Sequence, residues 1–310
     1  YTEVGAPVSR SGLTPGTVTT PIVGGALDPT GIYPFTDFKA ERTKSYEFGL
    51  SLKLWNKLSA EVTYYHSNTY NQTFLGDLPE YTGYKQIYLQ AGNVENRGWE
   101  ASLSYSDQFK FGLGISSTLT FSRNINEIKE MVENYHTDLM DEPINIPEVL
   151  KDGGRVILKE GGTLGDLYSK ADLVRNDKGY IEMDANGALA KDANVEPIKL
   201  GSVLPKANFA FSNEFTYKGV SAGFLLSCRL GGIVYSATQA ALDQYGVSEA
   251  SAKARDAGGV VINGRTMINA QQWYETIGSS SGLPQYYTYS ATNIRLQETH
   301  IGYTIPRRWL

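Results

Sequence analysis

The chain has 310 residues with 33 acidic and 28 basic side chains, and its net charge of −5 argues against a nucleic-acid partner. It contains no run of about 18 apolar residues, which excludes a membrane-spanning helix, while its 32 glycines and 21 tyrosines suit strands and turns. The single cysteine, Cys228, permits no internal disulfide and lies among apolar neighbours, where packing is its expected role.

Residues 1 to about 42 are rich in Gly, Pro, Thr and Ser, a composition typical of loops. The chain opens on Tyr1 with neither an initiator Met nor a signal peptide, and it stops at Leu310 directly after a strand-like segment. We therefore expect this sequence to be a piece of a longer protein.

The segment 43–65 has the clearest pattern in the chain. Apolar residues alternate with polar ones through two arms, from Tyr46 to Leu54 and from Leu58 to Tyr64. Strict alternation predicts strands with one apolar and one polar face, and the short link between the arms predicts a β-hairpin. The arms approach the roughly 9–11 residues of a tilted membrane-crossing strand, and aromatic residues stand near their ends as in membrane girdles. A long hairpin of a soluble β-domain is the alternative interpretation.

A second hairpin follows the same alternation. It begins near Asn93, is predicted to turn at Asp107 and Gln108, and continues as a strand from Phe109 to Phe121.

A third hairpin is predicted over residues 207–232, with its turn at Lys218-Gly219. A last strand is predicted over about 293–305. Its apolar phase slips between Leu296 and Ile301, which indicates a bulge or lumen-facing apolar residues.

The predicted connections between strands alternate in length. The short ones are 55–57, 106–108 and 218–219, and the long ones are 67–92, 123–206 and 233–290. Within the long ones, tight turns flank residues 180–183, and helices are predicted over 236–245 and 248–257. Outer-membrane barrels have short turns on one side and long extracellular loops on the other. The sequence therefore predicts an all-β fold, an antiparallel transmembrane β-barrel segment with about seven long strands.

Residues that carry catalytic or metal chemistry are not arranged for it. The three histidines are scattered with no ligand spacing, and Asp184, Asn186 and Asp192 miss the spacing of a calcium loop and suit turns instead. The sequence has no Ser–His–Asp order, Cys pair or phosphate loop. We therefore predict transport or binding rather than catalysis, with no catalytic residue, cofactor or metal.

Four segments carry a resemblance in their order along the chain: residues 39–50, residues 91–98 (Ala-Gly-Asn-Val-Glu-Asn-Arg-Gly), residues 231–258 and residues 302–306 (Gly-Tyr-Thr-Ile-Pro). Together they resemble the barrel of the SusC-like (SusC/RagA) TonB-dependent transporters. The resemblance covers nearly the whole chain from about residue 30, and the ordered set is more specific than any one motif.

The resemblance implies a C-terminal portion of a barrel of about 22 strands in the outer membrane of a Gram-negative bacterium. It implies an N-terminal plug, a SusD-like surface lipoprotein as lid, and uptake of oligosaccharides or peptides energised through the TonB complex. Residues 1–310 would form part of one barrel domain. The plug, the TonB-contacting segment and the first and last strands have no counterpart here, so no residue of this chain is assigned to TonB coupling.

Two classes of function remain open at this point. The first is a ligand-gated importer, and the second is a passive porin or surface adhesin barrel. A plug sequence upstream would favour the first. A soluble glycan-binding β-domain is a third alternative, and the lipid-facing stripes speak against it.

Substrate contacts are expected on the long-loop side, since the turns have almost no residues to spare. Aromatic residues there offer flat faces suited to sugars or peptides: Tyr81, Tyr84, Tyr88, Trp273, Tyr274, Tyr286 and Tyr287. The same residues can instead pack the loops or the lid interface. Residues 123–206 contain 16 acidic and 11 basic side chains, and this negative charge disfavours anionic glycans. The resemblance favours glycans over peptides.

Overall fold

The computed structural model describes residues 22–23, 26–27, 31–33, 39–77, 84–137, 140–146, 148–151, 155–185, 187–192 and 195–306. Most of these residues form antiparallel strands, so the predicted all-β fold is confirmed. No helix among them is long and apolar enough to cross a bilayer. The predicted loop over residues 1–42 lies mostly outside the described residues.

The elements follow one another in this chain order. The strands are β1 Ile22–Val23, β2 Ala26–Leu27, β3 Ile32–Tyr33, β4 Arg42–Leu54, β5 Leu58–Asp77, β6 Gln86–Gln108, β7 Leu113–Glu130, β8 Val132–Thr137, β9 Met140–Ile146, β10 Glu148–Lys151, β11 Val156–Lys159, β12 Asp166–Ser169, β13 Asp172–Leu173, β14 Lys191–Asp192, β15 Ile198–Ser202, β16 Ala207–Tyr217, β17 Val220–Leu230, β18 Ile233–Tyr235, β19 Val260–Ile262, β20 Thr266–Ile268, β21 Thr288–Ser290 and β22 Asn293–Tyr303. Between β18 and β21 lie the helices α1 Ala237–Gln244, α2 Glu249–Asp256 and α3 Ala270–Gly278, and a 3-10 helix at Pro284–Tyr287.

Seven long antiparallel strands form one sheet, which we call the wall. Its order is β22-β17-β16-β7-β6-β5-β4, and the short strand β3 adds to β6 in parallel. Strands joined by short turns pair directly, whereas β7 pairs with β16 and β17 with β22 across the long connections. The predicted set of seven long strands is confirmed.

One face of the wall is apolar from edge to edge. Directly paired residues lie on the same face of a sheet, and one such row across the wall is Leu50, Val62, Ala101, Phe121, Phe209, Cys228 and Ile294. Large side chains of this face are exposed, among them Phe48 at 67% and Leu50 at 61%. Soluble proteins rarely expose a contiguous apolar patch of this extent. We therefore assign this face to lipid and call it the lipid face.

The short turns of the first and third hairpins lie at the predicted positions. Trp55 and Asn56 have φ angles of 52° and 56°, and Lys218 and Gly219 have 48° and 88°. Two successive residues with positive φ give the turn a twist that matches the paired strands.

The turn of the second hairpin differs from the prediction. Asp107 and Gln108 still pair with Ile115 and Gly114 in the ladder, so β6 runs past the predicted turn. The chain reverses over residues 109–112 instead, where Gly112 has a φ of 95° and donates its N–H to the carbonyl of Phe109 (2.8 Å). The prediction that Phe109 and Phe111 lie in a strand was wrong. Their rings stack on each other in the turn, with centroids 5.5 Å apart.

The predicted connection at 67–92 is also largely strand. β5 and β6 continue past the predicted hairpins, and Phe74 and Leu89 form a directly paired, buried couple near their loop-side ends. Asn71, with a φ of 56°, interrupts the alternation of β5. Because of this break, the alternation of apolar and polar residues does not predict that β5 and β6 continue past the hairpins.

The predicted bulge near the end of the chain is confirmed. Leu226 pairs with Leu296, but its neighbour Leu225 pairs with Glu298, so Gln297 is left over in β22. The extra residue shifts the apolar phase before Ile301, as a bulge does.

The connection between β7 and β16 builds a small sheet on the loop side, in the order β10-β11-β12-β15. Its core joins Val94 and Ile128 of the wall to Val149 and Leu158 of the small sheet, and each of these side chains is at most 2% exposed. Main-chain hydrogen bonds extend the join, because Ile128 donates to the carbonyl of Gly162 at 2.9 Å. The small sheet is therefore anchored on the polar side of the wall.

A fully buried carboxylate, Asp166, organises this small sheet. It accepts hydrogen bonds from the N–H of Thr163 (3.0 Å), the hydroxyl of Thr163 (2.7 Å) and the ammonium of Lys199 (2.5 Å). A buried carboxylate needs such partners to offset its lost hydration.

The two tight turns predicted around residues 180–183 are confirmed. Gly179 donates its N–H to the carbonyl of Asn176 (2.8 Å), and Gly187 donates to that of Asp184 (3.0 Å). Among the described residues, no group of His, Cys, Asp and Glu side chains is placed to hold a metal ion.

The connection between β17 and β22 forms a second packed unit on the loop side. The two predicted helices are present as α1 and α2, capped by the hydroxyls of Ser236 and Ser248. The helix α3 was not predicted, although Asn269 caps it by accepting from the N–H of Gln271. These helices surround an apolar core that includes the fully buried Leu283.

Candidate functional site

The face of the wall opposite the lipid face is polar, and we call it the lumen face. Two of its register rows are Thr63, Glu100, Ser122, Asn208, Arg229 and Asn293, and Glu61, Ser102, Thr120, Ala210, Ser227 and Arg295. Together these residues line a groove of about 610 Å³. A polar interior paired with an apolar exterior is the arrangement of a membrane barrel that encloses water or a ligand.

Charge is unevenly distributed along this groove. The acids Glu61 and Glu100 lie on β5 and β6, and the bases Arg229 and Arg295 lie on β17 and β22. Glu61 and Arg295 share a register row but are separated by five strand spacings, roughly 24 Å along the sheet. Among the described residues, neither arginine has a carboxylate within 4.0 Å.

A second cavity of about 620 Å³ adjoins the groove on the loop side. The wall contributes Arg229 and Arg295, the small sheet contributes Tyr168, and the second loop-side unit contributes Tyr235. We call this space the mouth cavity. It lies where the two long connections meet the lumen face, so it is open to ligands that approach from the loop side.

The structure describes six of the seven predicted site residues and places them in packing positions. Tyr81 lies outside the described residues. Tyr84 packs against the core beneath the small sheet, and Tyr88 is half-buried in β6, paired with Leu75.

The other four predicted residues gather in the second loop-side unit. Trp273, Tyr274 and Tyr286 pack against its core, and the rings of Trp273 and Tyr286 meet edge-on with centroids 5.6 Å apart. Tyr287 is only 2% exposed. Burial and the nearby Asp243 carboxylate raise the pKa of Tyr287 well above its usual value. None of the six predicted residues that the structure describes lines the groove or the mouth cavity.

The residues that do line these spaces were not singled out from the sequence. Glu61, Glu100, Arg229 and Arg295 all stand on the polar phase of predicted strands. The alternation already assigns these polar positions to the lumen face. A search for charged residues at such positions would have found these four. Predicting which of them lie near one another requires the pairing of strands that are distant in sequence, and the alternation does not give that pairing.

One further polar cluster lies at the loop-side end of the lipid face. His66 stacks on Tyr46 with ring centroids 4.9 Å apart, and its Nε2 is 3.2 Å from the carboxylate of Glu95. Arg97 and Lys129 also flank Glu95, at 3.5 Å and 3.8 Å. The cluster follows the exposed aromatic Trp99 and marks the boundary where the lipid face becomes polar.

Comparisons with known proteins agree with this geometry. A family model described as TonB dependent receptor-like, beta-barrel, matches residues 5–157. TonB-dependent receptor P3 of Formosa agariphila is 24% identical over 89% of this chain, and TonB-dependent receptor P26 of the same organism is 27% identical over 63%.

Solved structures give the same fold. The RagAB peptide importer in its open-open state has a TM-score of 0.63 at 18% identity, over 88% of this chain. Its closed-closed state has a TM-score of 0.61 at 18% identity, over 87%. The chain spans 29% of the length of each of these structures, and 29% and 21% of the two Formosa receptors. Residues 5–157 thus match the TonB-dependent receptor β-barrel model, and the chain is similar to TonB-dependent receptors and has the fold of part of their outer β-barrel.

Proposed function

We propose that the complete protein is a TonB-energised importer that carries oligosaccharides or peptides across the outer membrane and works with a SusD-like lipoprotein lid. The observation that carries this proposal is the two-sided build of the wall. Its long connections fold into packed units on one side, while the other side has only short turns. A polar lumen face leads from the loop side to the turn side, as uptake requires.

Recognition is proposed to lie on the loop side. The half-buried aromatic residues Tyr84, Trp273 and Tyr274 keep their proposed contact role, whereas the burial of Tyr287 supports packing. RagAB is a peptide importer, but its 18% identity to this chain supports a shared fold only. The preference for oligosaccharides therefore rests on the sequence resemblance.

The test is uptake of a labelled oligosaccharide by cells that contain the complete receptor and its lid, with and without a functional tonB gene. An importer shows saturable uptake that stops when TonB is lost. A passive porin shows uptake that rises in proportion to concentration and ignores TonB, and this result would reject the proposal. Replacing Trp273 and Tyr274 with Ala should weaken uptake while the lid stays bound. Unchanged affinity would show that both residues support the fold and do not contact the substrate.

A further inference from the structure

We infer that the mouth cavity is a binding site for the anionic group of an acidic oligosaccharide, a sugar chain that bears carboxylate or sulfate. This inference rests on the proposed uptake from the loop side and names the substrate class. Three arginines line the cavity, Arg155, Arg229 and Arg295, and the described residues of its lining include no Asp or Glu. They come from three different parts of the chain, so the fold gathers positive charge at one place.

Arg229 is the central group of this site. It is half-buried, and one of its terminal nitrogens donates to the main-chain carbonyl of Val203. Its Nε is buried and has no hydrogen-bond partner. A partly desolvated guanidinium without a carboxylate partner is costly. A bound anion beside the guanidinium would supply the missing charge.

Arg295 lies on β22, two residues after Asn293, and is exposed. Its Nε donates to the Oδ1 of Asn293 at 2.8 Å. This hydrogen bond fixes the plane of the guanidinium and leaves the terminal nitrogens, which bond to no described residue, for a ligand. Planar guanidinium groups suit carboxylate and sulfate, which accept two parallel N–H bonds.

The rest of the lining combines aromatic, hydroxyl and amide groups with apolar side chains that include Leu167, Leu200 and Ile233. Arg155 lies over the ring of Tyr235, with its Cζ 5.1 Å from the ring centroid, so this cation and this aromatic ring pack against each other in the lining. Ser290, Thr292 and Asn293 supply hydroxyl and amide groups next to the arginines. The hydroxyls of Ser290 and Thr292 can hydrogen-bond to the hydroxyls of a sugar. A volume of about 620 Å³ lies within the range of small-ligand sites.

The local charge of the cavity differs from the charge of the connection that covers it. Residues 123–206 carry a net charge of −5, from which the sequence disfavours anionic glycans. Exposed charges are screened over about 8 Å in physiological salt, so the groups that line the cavity dominate the potential inside it. The three arginines therefore favour an anionic glycan, although the net charge of residues 123–206 disfavours one.

The test measures binding to the complete receptor in detergent by isothermal titration. The probes are size-matched oligosaccharides of galacturonate, of sulfated glucose and of unmodified glucose, together with an acidic peptide. We expect at least one acidic oligosaccharide to bind, more weakly as salt is raised, and the neutral one to bind at least about tenfold more weakly. Arg229→Gln and Arg295→Gln should each weaken acidic binding by about tenfold or more. Arg295→Lys should retain part of the affinity.

Arg123→Gln is the matched control, because Arg123 is exposed on the lipid face opposite Trp99 and should leave binding unchanged. Since Arg295 is exposed, its variant tests the site even if Arg229→Gln misfolds. The inference is overturned if no acidic oligosaccharide binds, if the neutral probe or the peptide binds as tightly, or if both arginine variants bind like the parent. TonB-dependent import of a neutral oligosaccharide, unaffected by these variants, would reject this inference and leave the importer proposal intact.

Discussion

The wall and the loop-side units of this barrel segment follow different rules. In the wall, adjacent residues face opposite media, so each strand carries an apolar row toward lipid and a polar row toward the lumen. In the loop-side units, buried residues come from short strands and helices and converge on two cores. The wall is specified by a repeating two-residue pattern that most of its stretches reveal. The loop side is specified by particular contacts between distant residues.

The largest effect is expected from a substitution that breaks the alternation of apolar and polar residues in the wall. Leu52 is 46% exposed on the lipid face, and Lys53 lies on the lumen face. Leu52→Arg should destabilise the complete receptor in lipid vesicles by roughly 2–4 kcal/mol if the site is near mid-membrane, because it places a charge in hydrocarbon. Lys53→Gln is the control and should cost little. Equal losses in urea unfolding would contradict the assignment of the two faces.

A smaller effect tests how tightly the wall strands approach one another. A Cβ on Gly98 would lie 2.4 Å from the main-chain oxygen of Arg123 and 2.4 Å from the hydroxyl of Tyr65. Gly98→Ala should therefore cost about 2 kcal/mol of unfolding free energy. A Cβ on Gly49 meets its nearest atom at 3.4 Å, so Gly49→Ala should be nearly neutral. If both substitutions were equally tolerated, the close packing at Gly98 would be refuted.

A comparable change on the loop side should stay local. Asp166→Asn keeps the size of the buried side chain but removes the charge that accepts from Thr163 and Lys199. We expect the small sheet to lose about 1.5 kcal/mol of stability. Hydrogen exchange should accelerate in β12 and β15 and remain slow in β5 and β6. Faster exchange throughout the wall would show that the two regions unfold as one.

The smallest expected effect is a loss of stability at high pH, which should distinguish the second loop-side unit from the wall. Burial raises the pKa of Tyr286 and of Tyr287, so the folded state keeps both phenols neutral while the unfolded state ionises them near pH 10. Their contribution to stability is complete below about pH 10 and is lost as the pH rises further. The fluorine signal of fluorinated Trp273 should broaden above that pH before the signal of Trp99 does. If the Trp273 and Trp99 signals changed at the same pH, the separation of the two regions would be contradicted. Tyr287→Phe should raise the pH at which the Trp273 signal changes.

Most of the wall could be predicted from the sequence because alternation is a local signal. The hairpin turn at Lys218-Gly219 and the bulge before Ile301 were both predicted from a few neighbouring residues. The second turn was misplaced because Phe109 and Phe111 continue the alternation through it. The loop-side ends of β5 and β6 were missed because Asn71 breaks that alternation.

The loop side and the candidate site were predictable only in part. Capping residues identified α1 and α2, since Ser236 and Ser248 act on their own next turn. The aromatic residues were predicted to contact substrate or to pack the loops or the lid interface, and four of them pack together in a core that only the tertiary fold creates. Arg229 and Arg295 lie 66 residues apart in sequence, and the pairing of β17 with β22 brings both to the mouth cavity. That pairing is not a local property.

The division of the wall into a lipid face and a lumen face is the central claim, and the accessibility of a spin label on Cys228 tests it most directly. Cys228 lies on the lipid face between Phe209 and Ile294, and Ser227 lies on the lumen face. In the complete receptor in lipid vesicles, a label on Cys228 should collide with oxygen more than with a water-soluble nickel complex. A label on Ser227→Cys, with Cys228→Ser, should show the reverse. Equal accessibilities at the two positions, or the opposite order, would contradict the assignment of the faces.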